Sequence, residues 1–117
     1  MTYGVVLQAL ADPTRRALLE QLCHRAHTVG ELARLARIRQ PSVSQHLQVL
    51  RSAHLVHDRR VGTRRYYRAS PEGLEELKRY VESLWDDVLV AYAAADPAPV
   101  RDTRSATTAR RRRGRRR

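Results

Sequence analysis

The chain has no phenylalanine and only one tryptophan, one methionine and one cysteine in 117 residues. Without Phe, its core has to be built mainly from Leu, Val and Ala. The lone Cys23 excludes an intramolecular disulfide. No apolar run approaches the ~18 residues that a membrane span needs. The start, Met1-Thr2-Tyr3-Gly4-Val5, lacks a basic region followed by a long apolar core, so no signal peptide is expected. These absences point to the bacterial cytoplasm, nucleoid included, with no membrane partner. Also missing are a nucleophile beside a base, a carboxylate pair in a plausible pocket and a Gly-rich phosphate loop. An enzyme is therefore not expected, and no cofactor is implied.

Acidic residues are scarce where basic ones are dense. The net charge is +11, and it is segregated. Residues 1–33 balance three Arg against three acids, whereas residues 34–68 hold nine Arg and a single acid, Asp58. Residues 69–100 reverse the sign, with seven acids against Lys78 and Arg79. Residues 101–117 return to nine Arg and one Asp. Such segregation suits a polyanion-binding surface on one side of a domain and a different task on the other.

The start of the basic block is the most informative stretch, Arg39-Gln-Pro-Ser-Val-Ser-Gln-His-Leu-Gln-Val-Leu-Arg-Ser52. Val43, Leu47 and Leu50 recur at i, i+4 and i+7, which predicts a helix with a narrow apolar stripe. The remaining positions are Ser42, Ser44, Gln45, His46, Gln48 and Arg51. A helix built only for solubility carries Glu and Lys there. Ser and Gln meet base edges in a major groove, where a carboxylate is repelled by phosphate.

The flanking segments supply a setting for that helix. Tyr3 to Ala11 reads as a short helix with Val6, Leu7 and Leu10 on one side. Asp12 and Pro13 restart the chain as N-cap and first helical residue of a helix to about His24. In it Ala17, Leu18, Leu19 and Leu22 are apolar. Arg25-Ala26-His27 reads as a loop. Thr28 and Glu31 form a T-x-x-E capping box for a third helix carrying Leu32, Leu35 and Ala36. A break at 37–39 precedes the polar-faced helix, giving a helix-turn-helix. Leu55–Val61 and Arg64–Ala69 read as a hairpin about Gly62-Thr63. Ser70-Pro71 opens a last helix to about Ala93, with Leu74, Leu77, Val81, Leu84, Trp85, Val88 and Tyr92 at three- or four-residue steps. The expectation is a mainly α fold with a small β-hairpin wing, ordered α-α-α-α-β-β-α, over residues 1–95. Residues 96–117, rich in Arg, Pro, Ala, Thr and Ser, read as a disordered tail.

Ala11-Asp12-Pro13-Thr14-Arg15-Arg16, Val29-Gly30-Glu31-Leu32-Ala33, Gln40-Pro41-Ser42-Val43-Ser44-Gln45-His46-Leu47-Gln48-Val49-Leu50 and Arg59-Arg60-Val61-Gly62-Thr63-Arg64-Arg65-Tyr66-Tyr67 together resemble the ArsR/SmtB family of winged helix-turn-helix repressors. The likeness covers residues 3–92. It implies a homodimer on a palindromic operator in double-stranded DNA, acting as a repressor, its own promoter among the candidate sites. Carried onto this chain, the base-reading positions are Gln40, Ser42, Ser44 and Gln45, with His46 adjacent. Arg39, Arg59, Arg60, Gly62, Thr63, Arg64 and Arg65 are the implied backbone and wing contacts, including an Arg in the minor groove. The alternative for Arg59, Arg60, Arg64 and Arg65, which flank the wing turn, is that they are edge-strand charges against aggregation, and the two readings are compatible. Strand alternation turns one of Tyr66 and Tyr67 inward, and the resemblance favours Tyr67. The implied dimer interface joins the first and last helices through Val6, Leu7, Leu10, Leu84, Val88, Leu89 and Tyr92.

The usual metal triggers of that family are missing. Residues 30–36 contain no Cys, and residues 71–93 contain no His. Asp86, Asp87 and Glu82 would make an oxygen-only set unsuited to soft metals. The remaining atypical candidate is Cys23, His24 and His27, whose ligand types suit zinc. A metal-independent repressor is thus the leading expectation, with an unassigned small-molecule or protein effector. The alternatives are a metal-responsive repressor using those three residues, or a nonspecific architectural binder driven by the Arg tail.

Overall fold

The computed structural model describes residues 3–95, so the Arg-rich tail lies outside the described residues. The elements are α1 (Tyr3–Ala9), α2 (Pro13–His24), α3 (Val29–Ala36), α4 (Gln40–Ser52), β1 (Val56–Val61), β2 (Arg64–Ala69) and α5 (Pro71–Ala94). This is the winged helix-turn-helix order anticipated above, with helix ends within about two residues of the expected ones.

Helices α2 and α3 begin where a local polar group can satisfy their free N–H donors. The Asp12 carboxylate accepts the Arg15 amide at 2.9 Å, with Pro13 following as the first helical residue. At α3, Thr28 Oγ1 accepts the Glu31 amide at 3.2 Å and Glu31 accepts the Thr28 amide at 3.1 Å, so both halves of the capping box form. Arg37 ends α3 in the left-handed region, at φ 60°, which turns the chain sharply before α4. The end of α1 is held differently. Arg15 Nε donates to the Ala9 carbonyl at 2.6 Å and Arg16 Nη1 to that of Leu10 at 2.8 Å. A seven-residue helix is too short to persist alone, and these two guanidinium groups close its open carbonyls.

The core of the unit ending at Leu84 is aliphatic. Leu18, Leu22, Leu32, Leu47, Leu50 and Leu55 are each at most 2% exposed, with Val6, Val43 and Val56 among them. Leu74 and Leu77 of α5 pack against this cluster from one side, as does Tyr67 of β2. Burial of one such Leu side chain contributes about 1.5–3 kcal/mol. Two expectations for α1 need correction. Val6 is fully buried in this core and Leu10 half-buried against it, so Val6 has no surface left for a partner. Leu7 instead points outward at 42% exposure. On α2, Ala17 is exposed while Leu18, Leu19 and Leu22 are buried.

The two strands pair antiparallel from Val56↔Ala69 to Val61↔Arg64. Gly62, at φ +65°, makes the two-residue turn possible. The segment read as a loop contributes a third, one-residue rung. His27 and Tyr67 exchange backbone hydrogen bonds of 2.9 and 2.8 Å. In the region from Trp85 onward, treated by itself, Trp85, Val88, Leu89, Val90 and Tyr92 are all exposed. No described helix is long and apolar enough to cross a membrane.

Gly73 sits where α5 begins, its amide donating to the His54 carbonyl at 2.8 Å. A Cβ at Gly73 would lie 2.7 Å from both the Ala53 and His54 carbonyl oxygens, which are backbone and cannot rotate away. Gly73→Ala is expected to destabilise the fold by about 1–3 kcal/mol, the usual cost of overpacking. Urea denaturation compared with the wild type measures it, and an unchanged midpoint would contradict the tight approach.

Candidate nucleic-acid interface

The polar face of α4 is set by its apolar one. Val43, Leu47 and Leu50 are at most 1% exposed, which fixes the rotation of the helix about its axis. Gln40, Ser42, Ser44 and Gln45 are then all exposed in its first turns. Arg39 precedes the helix as an exposed N-cap without a side-chain cap bond. Its backbone carbonyl accepts the Val43 amide at 3.1 Å. The Gln40 side chain lies over Gly30 of α3, so the first turn of α4 meets the first turn of its neighbour. Four side chains rich in donors and acceptors thus share an open surface with no carboxylate among them, which suits base edges.

His46 has a partner that sequence reasoning did not supply. It is half-buried, with Nδ1 4.0 Å from the Asp12 carboxylate at the start of α2. The ring is turned toward α2 rather than standing in the open row of Gln40, Ser42, Ser44 and Gln45.

The wing presents Arg59, Arg60 and Arg64 exposed around Gly62 and Thr63. Arg64 and Arg65 also line a shallow recess of about 300 Å³ with Thr28, Val29 and Gly30 at the start of α3. Guanidinium groups of the wing therefore border a concavity at the start of α3, and positive charge there favours phosphate. The outer face of the hairpin forms a second groove, with Tyr66 among His57, Arg59 and Arg68. Tyr67 faces the core, as the resemblance implied. Arg65 is engaged within the protein: its guanidinium bonds the Asp58 carboxylate, which also meets Arg51 Nε at 3.3 Å. That ion pair raises the Arg65 pKa beyond its already high value.

The candidate metal residues do not converge. Cys23 is exposed, whereas His27 is 3% exposed with Nδ1 3.4 Å from a Glu31 oxygen. Among the described residues no three His, Cys, Asp or Glu side chains are placed to hold a metal ion.

Comparison with known proteins now bears on this surface. Residues 12–58 match the family described as bacterial regulatory protein, arsR family. The chain is 51% identical over 86 residues to the HTH-type transcriptional regulator Rv2034 of Mycobacterium tuberculosis, covering 74% of this chain and 80% of that protein. The chain belongs to the arsR family. It is a DNA-binding transcriptional regulator and not an enzyme. The arsR-family likeness extends to the transcriptional repressor SdpR of Bacillus subtilis, 37% identical over 71 residues, covering 61% of this chain and 79% of SdpR. Among solved structures, a possible transcriptional regulator for arsenical resistance superposes with a TM-score of 0.62 at 41% identity, covering 76% of this chain and 96% of that one. The homodimeric winged helix-turn-helix DNA-binding domain of Mb0332 from Mycobacterium bovis gives 0.59 at 31% identity, covering 80% and 85%.

The caps that place α2 and α3 in this arsR-family interface are titratable. The Arg15 backbone N–H lowers the Asp12 pKa, helped by the nearby charges of His46 and Arg15. The Thr28 N–H does the same for Glu31, helped by His27 and Arg25. Both carboxylates are held below their ordinary range, so their contribution is complete above that range and is lost as pH falls through the folded values. Thermal stability is expected to decline as pH drops below about 5, where ordinary carboxylates begin to protonate. Asp12→Asn with Glu31→Gln keeps acceptors at both caps but removes the titration. That variant should show a flatter dependence of Tm on pH between about 5 and 2, and an unchanged slope would contradict the assignment.

Proposed function

We propose that this chain is a homodimeric repressor that reads a palindromic operator through Gln40, Ser42, Ser44 and Gln45. One observation carries the reading. Burial of Val43, Leu47 and Leu50 leaves an acid-free polar face open at the start of α4. Gln pairs bidentately with adenine, and Ser accepts from or donates to several bases. Arg39, Arg59, Arg60, Gly62, Thr63 and Arg64 then meet the backbone on either side of the bases. Arg65, bonded to Asp58, contributes less to phosphate than its neighbours. His46 supports the face through Asp12 rather than reading a base.

The second protomer covers exposed apolar surface. Trp85, Val88, Leu89 and Tyr92 share one side of the helix beyond Leu84 and are 49–80% exposed, and Leu7, Val81 and Leu84 of the preceding unit are exposed in their own right. Solvent does not favour such a stripe. The related Mb0332 domain is homodimeric, and a two-fold pair of reading helices spans half-sites ~34 Å apart. Release from DNA proceeds without a bound metal in this reading. The chain lacks Cys at residues 30–36 and His at residues 71–93, where the family resemblance would place soft-metal ligands. Action on its own promoter and a place in the cytoplasm accord with this role, and residues 96–117 add sequence-independent affinity.

Selection of bound sites from random DNA, with and without zinc, tests the reading. It predicts one palindrome in both selections and a preference over random DNA of ~10³ or more. A preference below about tenfold favours the architectural alternative. With the selected duplex, Ser44→Ala combined with Gln45→Ala should cost ~1–3 kcal/mol of discrimination per lost base contact, leaving random DNA affinity near wild type. Equal loss on both duplexes would place the reading face elsewhere. Val88→Asp sets two carboxylates against each other across a two-fold axis. Sedimentation should then show a folded monomer, with operator affinity lower by about tenfold or more. A dimer that survives the change would move the interface off this stripe.

A further inference from the structure

Asp58 is the one acid among nine arginines in residues 34–68, and its side chain is 6% exposed. A carboxylate on a DNA-binding wing opposes phosphate, so its presence there needs a reason. Its contacts supply one. Asp58 lies opposite Tyr67 in the hairpin register, on the strand face that turns toward the core, and Arg65 is its diagonal neighbour across the ladder. Arg51 reaches it from the last turn of α4. One carboxylate therefore joins the end of the reading helix to both strands of the wing. On the same face Arg60 stands directly opposite Arg65, a like-charge pairing that costs stability unless an anion lies close by.

Exposure is divided unevenly within the network. The acid is shielded, whereas the Arg51 and Arg65 side chains remain 54% and 44% exposed. Both guanidinium groups are open enough to reach a phosphate, yet each is drawn inward by the shared carboxylate. Arg64, one residue before Arg65 and exposed on the strand, has no carboxylate within 4 Å among the described residues.

We propose that Asp58 is a specificity-determining residue: it fixes the wing to the C-terminal end of the reading helix and withholds Arg51 and Arg65 from indiscriminate phosphate contact. The proposal rests on the sequence-reading role proposed above and assigns this acid a positioning part in it. Asp58 acts through the two arginines and touches no base. Binding to random DNA is driven by released counterions, and each additional phosphate contact steepens the salt dependence by ~0.9. Holding two arginines back lowers affinity for random sequence. A wing at fixed distance from α4 keeps the full set of contacts available only where the base edges also fit.

The test is fluorescence anisotropy of the full chain with the selected operator duplex and a scrambled duplex of equal length, over a range of salt. Asp58→Asn should tighten scrambled binding about five- to tenfold and steepen its salt slope by about 1 to 2. The ratio of operator to scrambled affinity should fall by about tenfold. Asp58→Glu, which keeps the charge, should retain the wild-type salt slope. A folded Asp58→Asn protein with the wild-type slope and ratio overturns the proposal. If Asp58→Asn does not fold, the comparison of Arg64→Gln with Arg65→Gln decides, since both change exposed side chains. Arg64→Gln should weaken scrambled binding and flatten the slope by about 1, whereas Arg65→Gln should leave both unchanged and lower only the ratio. Equal flattening by the two variants makes Arg65 an ordinary phosphate contact and overturns the proposal. A wild-type ratio near one overturns the sequence-reading role and this proposal together. A wild-type ratio of ~10³ that Asp58→Asn preserves overturns this proposal alone.

Discussion

Burial of three side chains, Val43, Leu47 and Leu50, governs most of what this molecule presents to DNA. They are the side of α4 that water cannot reach, and a helix has only one degree of rotation to give up. Once that stripe is seated on the Leu and Val of α2, α3 and β1, the Gln and Ser side chains have a single direction left. The caps fix the neighbours on which that stripe rests. Asp12, Thr28 and Glu31 start α2 and α3 at defined residues, so the floor under α4 does not slide. The direction of the exposed polar face of α4 is thus a consequence of what lies beneath it, more than of the polar residues themselves.

Charge is organised around this frame at two levels. Along the chain, the arginines of residues 34–68 form one basic stretch, while the acids of α5 lie in a separate one. Over short range, individual arginines have distinct roles. Arg15 and Arg16 close the carbonyls of α1. Arg51 and Arg65 converge on Asp58, and Arg59, Arg60 and Arg64 stay open to solvent. A count of positive residues therefore overstates the cations available to a polyanion. Geometry divides them into structural and accessible ones.

The local part of this architecture is legible in the sequence because it depends on neighbours within four residues. The Asp12-Pro13 start, the Thr28–Glu31 box, the i, i+4, i+7 stripe and the Gly62 turn all encode their structure at short range, and each forms as read. Contacts that depend on distant chain were not legible. Val5, Val6, Leu7 and Leu10 place apolar residues on several sides of a short helix, and only its docking selects Val6 and Ala9 for burial. The role of Arg15 and Arg16 is hidden because their acceptors belong to the preceding helix. His27 reads as a loop histidine, since its pairing partner Tyr67 lies forty residues further on. Asp58 looks like a stray acid until α4 and the hairpin bring Arg51 and Arg65 to it. Among the positions expected to read bases, His46 has a fold-borne charged neighbour, the carboxylate of Asp12, that periodicity alone could not reveal.

The single rung between His27 and Tyr67 divides the hairpin along its length. Near that rung β2 is tied on both edges, to β1 on one side and to His27 on the other. Toward Gly62 it is tied on one edge only. Local opening follows the number of backbone bonds that must break together, so protection from solvent exchange should be graded along the strand. On the wing–DNA contact proposed above, the conformational entropy lost on binding is then confined to a few residues at the tip, while the root is already ordered before DNA arrives.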